Sequence, residues 1–458
     1  MPMRVFMLGW EFPPFISGGL GTACHGLTLA LSRQNTKITF VLPKVIDTQN
    51  TSHVRLLTPQ SPLAESETPA SGISPATISH DDSDAQLDPN IKFQAIPARM
   101  YSPYQSAGGV LRQPPPAASR QCMQSNQSAP ATASLVSGLG PGTGPLDYSG
   151  DLLDECQRFS DLCLNLARGE DFDVIHAHDW LTFPAGLAVA RLSGRPLITH
   201  VHSTEFDRSG ENINQPVYDI ERRGMHGAMR VIAVSYLTKS IIQHRFGVDP
   251  DKIEVVYNGI ENVNPLPGLH GEPAIRRSDK IVLFLGRITM QKGPEYFVRA
   301  AKKVLEKEQE VKFVMAGSGD KITDVIDLAV REGIGHQVLF TGFLRGKDVE
   351  RVFRIANVYV MPSVSEPFGI APLEAIRHDV PVIISKTSGV AEVLTHALKV
   401  DFWDTDEIAN KIIAVLRHPP LSSTLREQAD LEVRQLTWDG AAKKCLQVYD
   451  QATQLVSA

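Results

Sequence analysis

Arg4-Val-Phe-Met-Leu-Gly9, then a loop holding Gly18-Gly19-Leu20-Gly21, then a helical pattern to Arg33, then Lys37-Ile-Thr-Phe-Val-Leu42: these residues decide the fold. Short apolar runs without alternation are what strands covered on both faces of a parallel sheet need. A glycine-rich loop and a helix between two such runs make a βαβ unit.

Outward from this unit the pattern first fails and then resumes twice. Residues 58–89 are rich in Pro, Ser, Thr and acidic residues, and Gln105–Leu146 holds only the charges Arg112 and Arg120. Such a composition cannot bury enough apolar surface to offset chain ordering, so about 50–147 reads as a low-complexity, mobile insertion, interrupted by a strand near Ile91–Ala98. A helix follows over Asp151–Arg168. Strands are then expected at Phe172–Ala177, Leu197–Val201, Arg230–Ser235 and Ile253–Tyr257. Residues 265–279 read as a linker. A second series of strands begins at Lys280–Leu285 and continues at Val311–Ala316, Val338–Thr341, Val358–Met361, Val380–Ile384 and Leu398–Val400. Strands alternating with helices imply doubly wound parallel sheets. The expected α/β architecture is two facing Rossmann-like domains with a cleft between them, residues 1–264 and 280–436. A last helix, within 437–458, is expected to pack back on the first domain.

Composition fits an ordinary globular protein. The chain has 458 residues, 42% hydrophobic and 21% charged, with a net charge of -6. This excludes a fibrous or wholly disordered chain, and nothing marks a broad basic face for nucleic acid. The five cysteines are scattered, without a C-x-x-C pair, so neither a disulfide framework nor a zinc ribbon is expected. No stretch reaches the ~20 apolar residues of a membrane span, and Trp10 and Glu11 interrupt the first apolar run before a cleavage site. A cytoplasmic protein without an integral membrane segment is the expectation.

Open parallel sheets bind ligands beyond the carboxyl ends of their strands. Gly18 and Gly19 follow the first strand and open a helix, where backbone amides can approach an anion. A glycine turn made only for tight packing reads equally well. His176/His178 before Asp179, and His200/His202, form two His-x-His pairs, each on one face of a strand. As metal ligands they would need a carboxylate at later strand ends, which carry Ser235, Asn258, Gly259 and Gly286 instead. A structural role is favoured for His176 and His200, and His202 is the expected functional histidine. In the second series, Gly286-Arg287 ends a strand and Lys292-Gly293 opens a helix. Two cations there suit a pyrophosphate, whose charge is spread over several oxygens. Gly317 and Phe343 stand in permissive loops after the next strands. Glu366-Pro-Phe368-Gly369-Ile370 leads into a helix carrying Glu374, and carboxylates there can accept hydrogen bonds from sugar hydroxyls. Asp404-Thr-Asp406 mimics a metal-binding D-x-D motif but sits where such residues cap a helix.

Gly-Arg-x4-Lys-Gly at 286–293 and E-x7-E at 366–374 resemble the retaining nucleotide-sugar glycosyltransferases of the GT-B fold. The likeness is to glycosyltransferase family 4, with the glycogen and starch synthases as relatives. Val256-Tyr-Asn258-Gly259-Ile260, Ile175-His-Ala-His178-Asp179-Trp180 and the Gly-Gly-Leu start match too. The resemblance implies that Arg287 and Lys292 hold the donor diphosphate and that Glu374 binds the ribose. Glu366 would lie beside the transferred sugar, with His202 near the reacting centre. It further implies donor contacts at Gly18, Gly19, Gly317, Phe368, Gly369 and Ile370, a base bordered by Phe343 or Leu344, and acceptor-side residues His178 and Asp179. Ser17 stands where glycogen synthases carry a lysine, and Ser388-Gly389-Val390 replaces a double glycine.

The expected activity is transfer of a hexose, glucose first, from a nucleotide diphosphate sugar to a carbohydrate or other hydroxyl acceptor, with retention. No cofactor and no essential metal are expected. Glucan elongation from ADP- or UDP-glucose is the nearest alternative. A phosphorylase, a sugar-nucleotide epimerase and a non-catalytic sugar-nucleotide binder are more remote. The sequence names neither the base nor the oligomeric state.

Overall fold

The structure is a computed structural model that describes residues 2–13, 18–43, 55–57, 91–95, 152–261 and 279–457. Most of the expected insertion, and the expected linker up to residue 278, lie outside the described residues.

The first lobe opens with β1 (Arg4–Leu8), α1 (Gly19–Arg33), β2 (Lys37–Leu42), β3 (Arg55–Leu57) and β4 (Ile91–Ala95). It continues with α2 (Leu152–Ala167), β5 (Val174–His178), α3 (Phe183–Ser193), β6 (Leu197–Val201) and α4 (Glu205–Ser209). It ends with α5 (Gln215–Gly227), β7 (Arg230–Ala233), α6 (Tyr236–Phe246) and β8 (Ile253–Val255). The second lobe begins with β9 (Lys280–Leu285), α7 (Pro294–Leu305), β10 (Val311–Ala316), α8 (Ile322–Arg331), β11 (Val338–Gly342) and α9 (Lys347–Ile355). Then come β12 (Val358–Met361), α10 (Ala371–Arg377), β13 (Val382–Ser385), β14 (Leu398–Val400), α11 (Thr405–Arg417), α12 (Pro419–Val433) and α13 (Trp438–Ser457).

Each lobe is one parallel sheet. The strand orders are β3-β4-β2-β1-β5-β6-β7-β8 and β11-β10-β9-β12-β13-β14. Two-residue alternation sends neighbouring side chains to opposite faces, and both faces are buried. Phe6 and Leu8 join the core formed with α2, α3 and α5, while Val5 and Met7 join the core under α1 and α13. In the second sheet Val282 and Phe284 face α7 and α11, and Ile281 and Leu283 face α9, α10 and α12. The apolar runs that marked these strands are uninterrupted for this reason. Cys24, Cys156, Cys163 and Cys445 are buried, behaving as small apolar residues. No helix among the described residues is long and apolar enough to cross a membrane.

The last helix crosses from the second lobe to the first. Trp438, Ala441, Ala442, Cys445, Val448, Tyr449 and Ala452 repeat at three- and four-residue spacing and enter the core beneath α1. A Cβ on Gly26 of α1 would stand 2.2 Å from the Trp438 ring, so the indole fills the space a side chain would occupy. Before α13, the Ile260 amide donates to the Leu436 carbonyl at 3.0 Å, tying the chain leaving β8 to the chain entering α13. Gly26→Val should therefore destabilise the protein by about 1–3 kcal/mol despite the loss of a mid-helix glycine, because overpacking forces Trp438 aside. Chemical denaturation with tryptophan fluorescence reads the shift.

Candidate active site

Three segments of the second lobe meet above its sheet. Gly286 and Arg287 follow β9, a turn at Met290–Lys292 leads into α7, and the loop 362–370 follows β12. The amide of Val364 donates to the Gln291 carbonyl at 2.9 Å, which sets the loop on the turn. The Lys292 ammonium donates to Glu366 Oε2, and the Ser363 hydroxyl donates to the same oxygen at 3.3 Å. Lys292 and Glu366 are largely enclosed, with side chains 19% and 8% exposed, so each charge is neutralised mainly by the other. An Arg287 guanidinium N–H reaches Gln291 Oε1 at 3.4 Å.

The Glu366 loop is braced from behind. Its amide donates to the Thr387 carbonyl, and the amides of Gly389 and Val390 donate to the carbonyls of Glu366 and Phe368. Ser388-Gly389-Val390 therefore supports the loop through its backbone. Glu374 lies in the first turn of α10, which begins at Ala371, two residues after the expected start and less deep than expected. Its carboxyl accepts no hydrogen bond among the described residues, and desolvation pushes it up to about 7. Beneath both acids lies the buried Tyr359 ring. Burial and the neighbouring carboxylates of Glu366 and Glu374 hold its phenol above its ordinary range. The two glutamates thus share one corner of the lobe.

Gly317 has a close-packing reason to be glycine. Its φ is 144°, and a Cβ would stand 1.8 Å from the Gly286 carbonyl oxygen. Phe343 is 47% exposed and carries the Arg345 guanidinium over its ring, 5.2 Å from the centroid. Leu344 turns inward onto the core, so of the two it is Phe343 that offers an open ring. Phe368 is buried against Tyr257, and Ile370 packs against the cores of both lobes. The expected D-x-D element is a cap: Asp404 accepts from the Glu407 amide at 2.9 Å, and Asp406 pairs with Lys303.

The first lobe presents Gly18 to the same space. A Cβ there would lie 3.9 Å from Arg287 Nε, whereas one on Gly19 would meet nothing within 4 Å. In the same lobe the ends of β5 and β6 carry a column of four imidazoles, three of them buried. His176 and His178 stack at 4.3 Å between centroids, as His200 and His202 do at 4.2 Å. His176 Nε2 meets His200 Nδ1 at 3.2 Å, and His178 Nδ1 meets His202 Nε2 at 2.9 Å. The Tyr449 hydroxyl of α13 meets His176 Nδ1. Desolvation pulls His176 and His202 down to about 3 and lowers His178 and His200 as well, so the column is neutral at pH 7.

One nitrogen from each of His176, His178 and His200 lies within 4.8 Å of the other two. Spacing alone would admit a cation. Both ring nitrogens of His176 are already engaged, Nε2 by His200 Nδ1 and Nδ1 by the Tyr449 hydroxyl, so those atoms are committed to hydrogen bonds within the column.

Of the expected acceptor-side residues, His178 is fully buried and Asp179 is 5% exposed. Asp179 works on the backbone. Its φ of 57° with ψ of 169° is a conformation normally left to glycine. Its amide donates to the His200 carbonyl at 2.9 Å, and its carboxylate accepts from the amides of His202 at 2.6 Å and Ser203 at 3.4 Å. Burial pushes the Asp179 carboxyl up to about 7, and these amides and Arg208 work against that rise. His202 itself is half-buried; Nε2 is engaged by His178, and Nδ1 has no hydrogen-bond partner among the described residues.

Sequence reasoning missed α4. Arg208 is paired with Glu205 and Glu221, and Glu221 also accepts from the Glu205 amide at 3.0 Å. Thr204 and Asp207 form a capping box. The T-x-x-D spacing at 204–207 could have revealed the cap, but nothing local announces that Asp207 also accepts from Ser365 of the other lobe at 2.5 Å.

Residues 269–431 match the family described as Glycosyl transferases group 1. Residues 154–262 match Glycosyltransferase Family 4, and residues 4–104 the starch synthase catalytic domain. An uncharacterized glycosyltransferase of Methanocaldococcus jannaschii is 34% identical over 303 residues, 63% of this chain and 77% of that protein. The chain belongs to the group 1 glycosyltransferases. A second relative of this glycosyltransferase, D-inositol 3-phosphate glycosyltransferase 1 of Catenulispora acidiphila, is 28% identical over 62% of the chain and 73% of that protein. Among solved structures, sucrose-phosphate synthase of Thermosynechococcus elongatus superposes with a TM-score of 0.67 over 98% of both chains, at 18% identity. Anabaena HepE in complex with UDP-glucose gives 0.61 over 98% of this chain and 100% of that one, at 15% identity. At such identities the likeness is one of fold, the two-lobed GT-B arrangement.

Glu374 gives this glycosyltransferase a measurable pH signature. Its folded-state pKa, about 7, is raised above the ordinary 4.5. The stability it contributes is therefore complete below pH 4.5 and lost as pH rises through 7. Glu374→Gln should raise the melting temperature at pH 8 and leave it nearly unchanged at pH 4, read by differential scanning calorimetry.

Proposed function

We propose that this enzyme transfers a hexose, glucose being the first candidate, from a nucleoside diphosphate sugar to a hydroxyl acceptor with retention of configuration. The observation that carries the reading is the meeting of Lys292, Arg287 and Glu366 in one cleft with Gly18 of the opposite lobe. Lys292 and Arg287 supply fixed positive charge where a diphosphate leaving group gains negative charge, and such charge is worth most in a site closed to water. No essential metal is proposed, since these cations and the helix start beside them can do that work.

In this reaction the bond between the anomeric carbon and the diphosphate oxygen breaks, and its electron pair leaves with the nucleoside diphosphate. The acceptor oxygen bonds to the anomeric carbon on the same face, and its proton passes to the departing phosphate oxygen. Glu366, released from Lys292, accepts hydrogen bonds from the sugar, and Glu374 accepts them from the ribose. The amides around Phe368, Gly369 and Ile370, and those at Gly18 and Gly19, are proposed donor contacts, with Phe343 beside the base. His202 is proposed near the reacting centre, with neutral imidazole as its working form. Closure of the lobes excludes water that would otherwise hydrolyse the donor.

The solved relative holding UDP-glucose supports a glucosyl donor, and the curated inositol phosphate glycosyltransferases support a small hydroxyl acceptor. The starch synthase match over residues 4–104 favours glucan elongation as a second reading, against which Ser17 replaces the expected lysine.

A thermal-shift panel of UDP, ADP and GDP with their glucose conjugates identifies the donor, because a ligand bound only by the folded state raises the melting point. With that donor, Lys292→Ala should lower kcat by about 10²–10³-fold, the scale of removing one charge-stabilising group, while circular dichroism shows an intact fold. Wild-type turnover by the variant contradicts the reading.

A further inference from the structure

Asp207 is buried in α4 and divides its two carboxylate oxygens between two tasks. Oδ2 accepts from the Thr204 amide and the Thr204 hydroxyl, both at 2.7 Å, which completes the helix cap. Oδ1 is not needed for that cap. It accepts instead from the hydroxyl of Ser365, which lies in the second lobe, one residue before Glu366. On the first lobe, Thr204 lies two residues after His202. The hydrogen bond therefore joins the two segments that carry the expected catalytic histidine and the expected sugar-side carboxylate.

Both ends of this contact are stiff. α4 is fixed to its own lobe by Arg208, whose guanidinium pairs with Glu205 and Glu221 and donates to the Ser203 carbonyl at 3.3 Å. The loop around Ser365 rests on the Gln291 carbonyl, and Thr387 donates to the Ser363 carbonyl at 3.1 Å. A bond between two rigid supports fixes their separation; one between two mobile chains would not. The lobes also meet at α6. There the Glu392 carboxylate accepts from the amides of Tyr236 at 2.9 Å and Leu237 at 2.7 Å, and from the Tyr257 hydroxyl at 3.0 Å. That contact holds the lobes together at a helix start, so loss of the Ser365 bond leaves them joined.

We propose that Ser365 is a positioning residue: its bond to Asp207 closes the cleft beside the sugar and registers Glu366 against His202, favouring transfer to the acceptor over loss of the sugar to water. The inference rests on the reading that His202 and Glu366 face one donor sugar. It concerns the contact that sets their distance and assigns neither residue a new role.

Ser365→Ala removes the hydroxyl and leaves the Asp207 cap intact. With the donor selected by the thermal-shift panel, nucleoside diphosphate release and sugar transfer are measured side by side. The variant should stay folded at the assay temperature with the wild-type donor KM, lose about tenfold in kcat for transfer, and divert a several-fold larger share of turnover to hydrolysis. Ser365→Thr, which restores a hydroxyl, should recover the wild-type ratio. A Ser365→Ala enzyme with the wild-type ratio of transfer to hydrolysis overturns the proposal. So does one whose activity falls only in step with its folded fraction. Failure of the donor reading itself is recognised separately, by normal turnover in Lys292→Ala.

Discussion

The ion pair between Lys292 and Glu366 organises everything around it. Its members come from different strand ends of one sheet, and both are mostly shielded from water, so each charge is stabilised chiefly by the other. Breaking such a pair by removing one partner typically costs about 3–5 kcal/mol. The surrounding hydrogen bonds therefore hold the two chains in register: Val364 on Gln291, Ser363 on Glu366, and Gly389 behind the loop. In the proposed reaction the donor diphosphate takes over as the counter-charge of Lys292, and the same event frees Glu366 to bind the sugar. Substrate binding is then an exchange of partners between charges already in place.

The opposite lobe solves a different problem, which is to hold an uncharged histidine still. Stacked imidazoles, ring-to-ring hydrogen bonds and the Tyr449 hydroxyl fill the ends of β5 and β6. Asp179, in a backbone conformation that costs about 1–3 kcal/mol, pins the His202 amide from the neighbouring strand. Strain of this kind persists only where the packing around it is dense, and here α13 supplies part of that packing by returning from the second lobe. The last helix thus links the chain end to the column behind His202.

Much of this was legible in the residues. Uninterrupted apolar runs such as Arg4–Leu8 and Lys280–Leu285 marked parallel strands because both sheet faces are covered. Arg287, Lys292, Glu366 and Glu374 could be singled out because strand ends in such sheets are where ligands bind. Asp404 could be assigned as a cap from its place before a helical pattern. What stayed hidden was set by long-range packing. His178 and Asp179 look like polar strand-end residues in one dimension, yet the column encloses the first and backbone clamping consumes the second. Ser365 sits in the acidic motif without distinction, and only the approach of α4 gives its hydroxyl a partner. Gly18 and Arg287 are separated by more than half the chain, and their nearness follows from how the lobes face each other.

The most direct test of the central claim is a crystal structure of the enzyme with the nucleoside diphosphate that stabilises it most. The account predicts the diphosphate between Arg287, Lys292 and the glycines at 18–19, with the Lys292 ammonium transferred from Glu366 to a phosphate oxygen. A nucleotide bound elsewhere, with Lys292 still on Glu366, contradicts it.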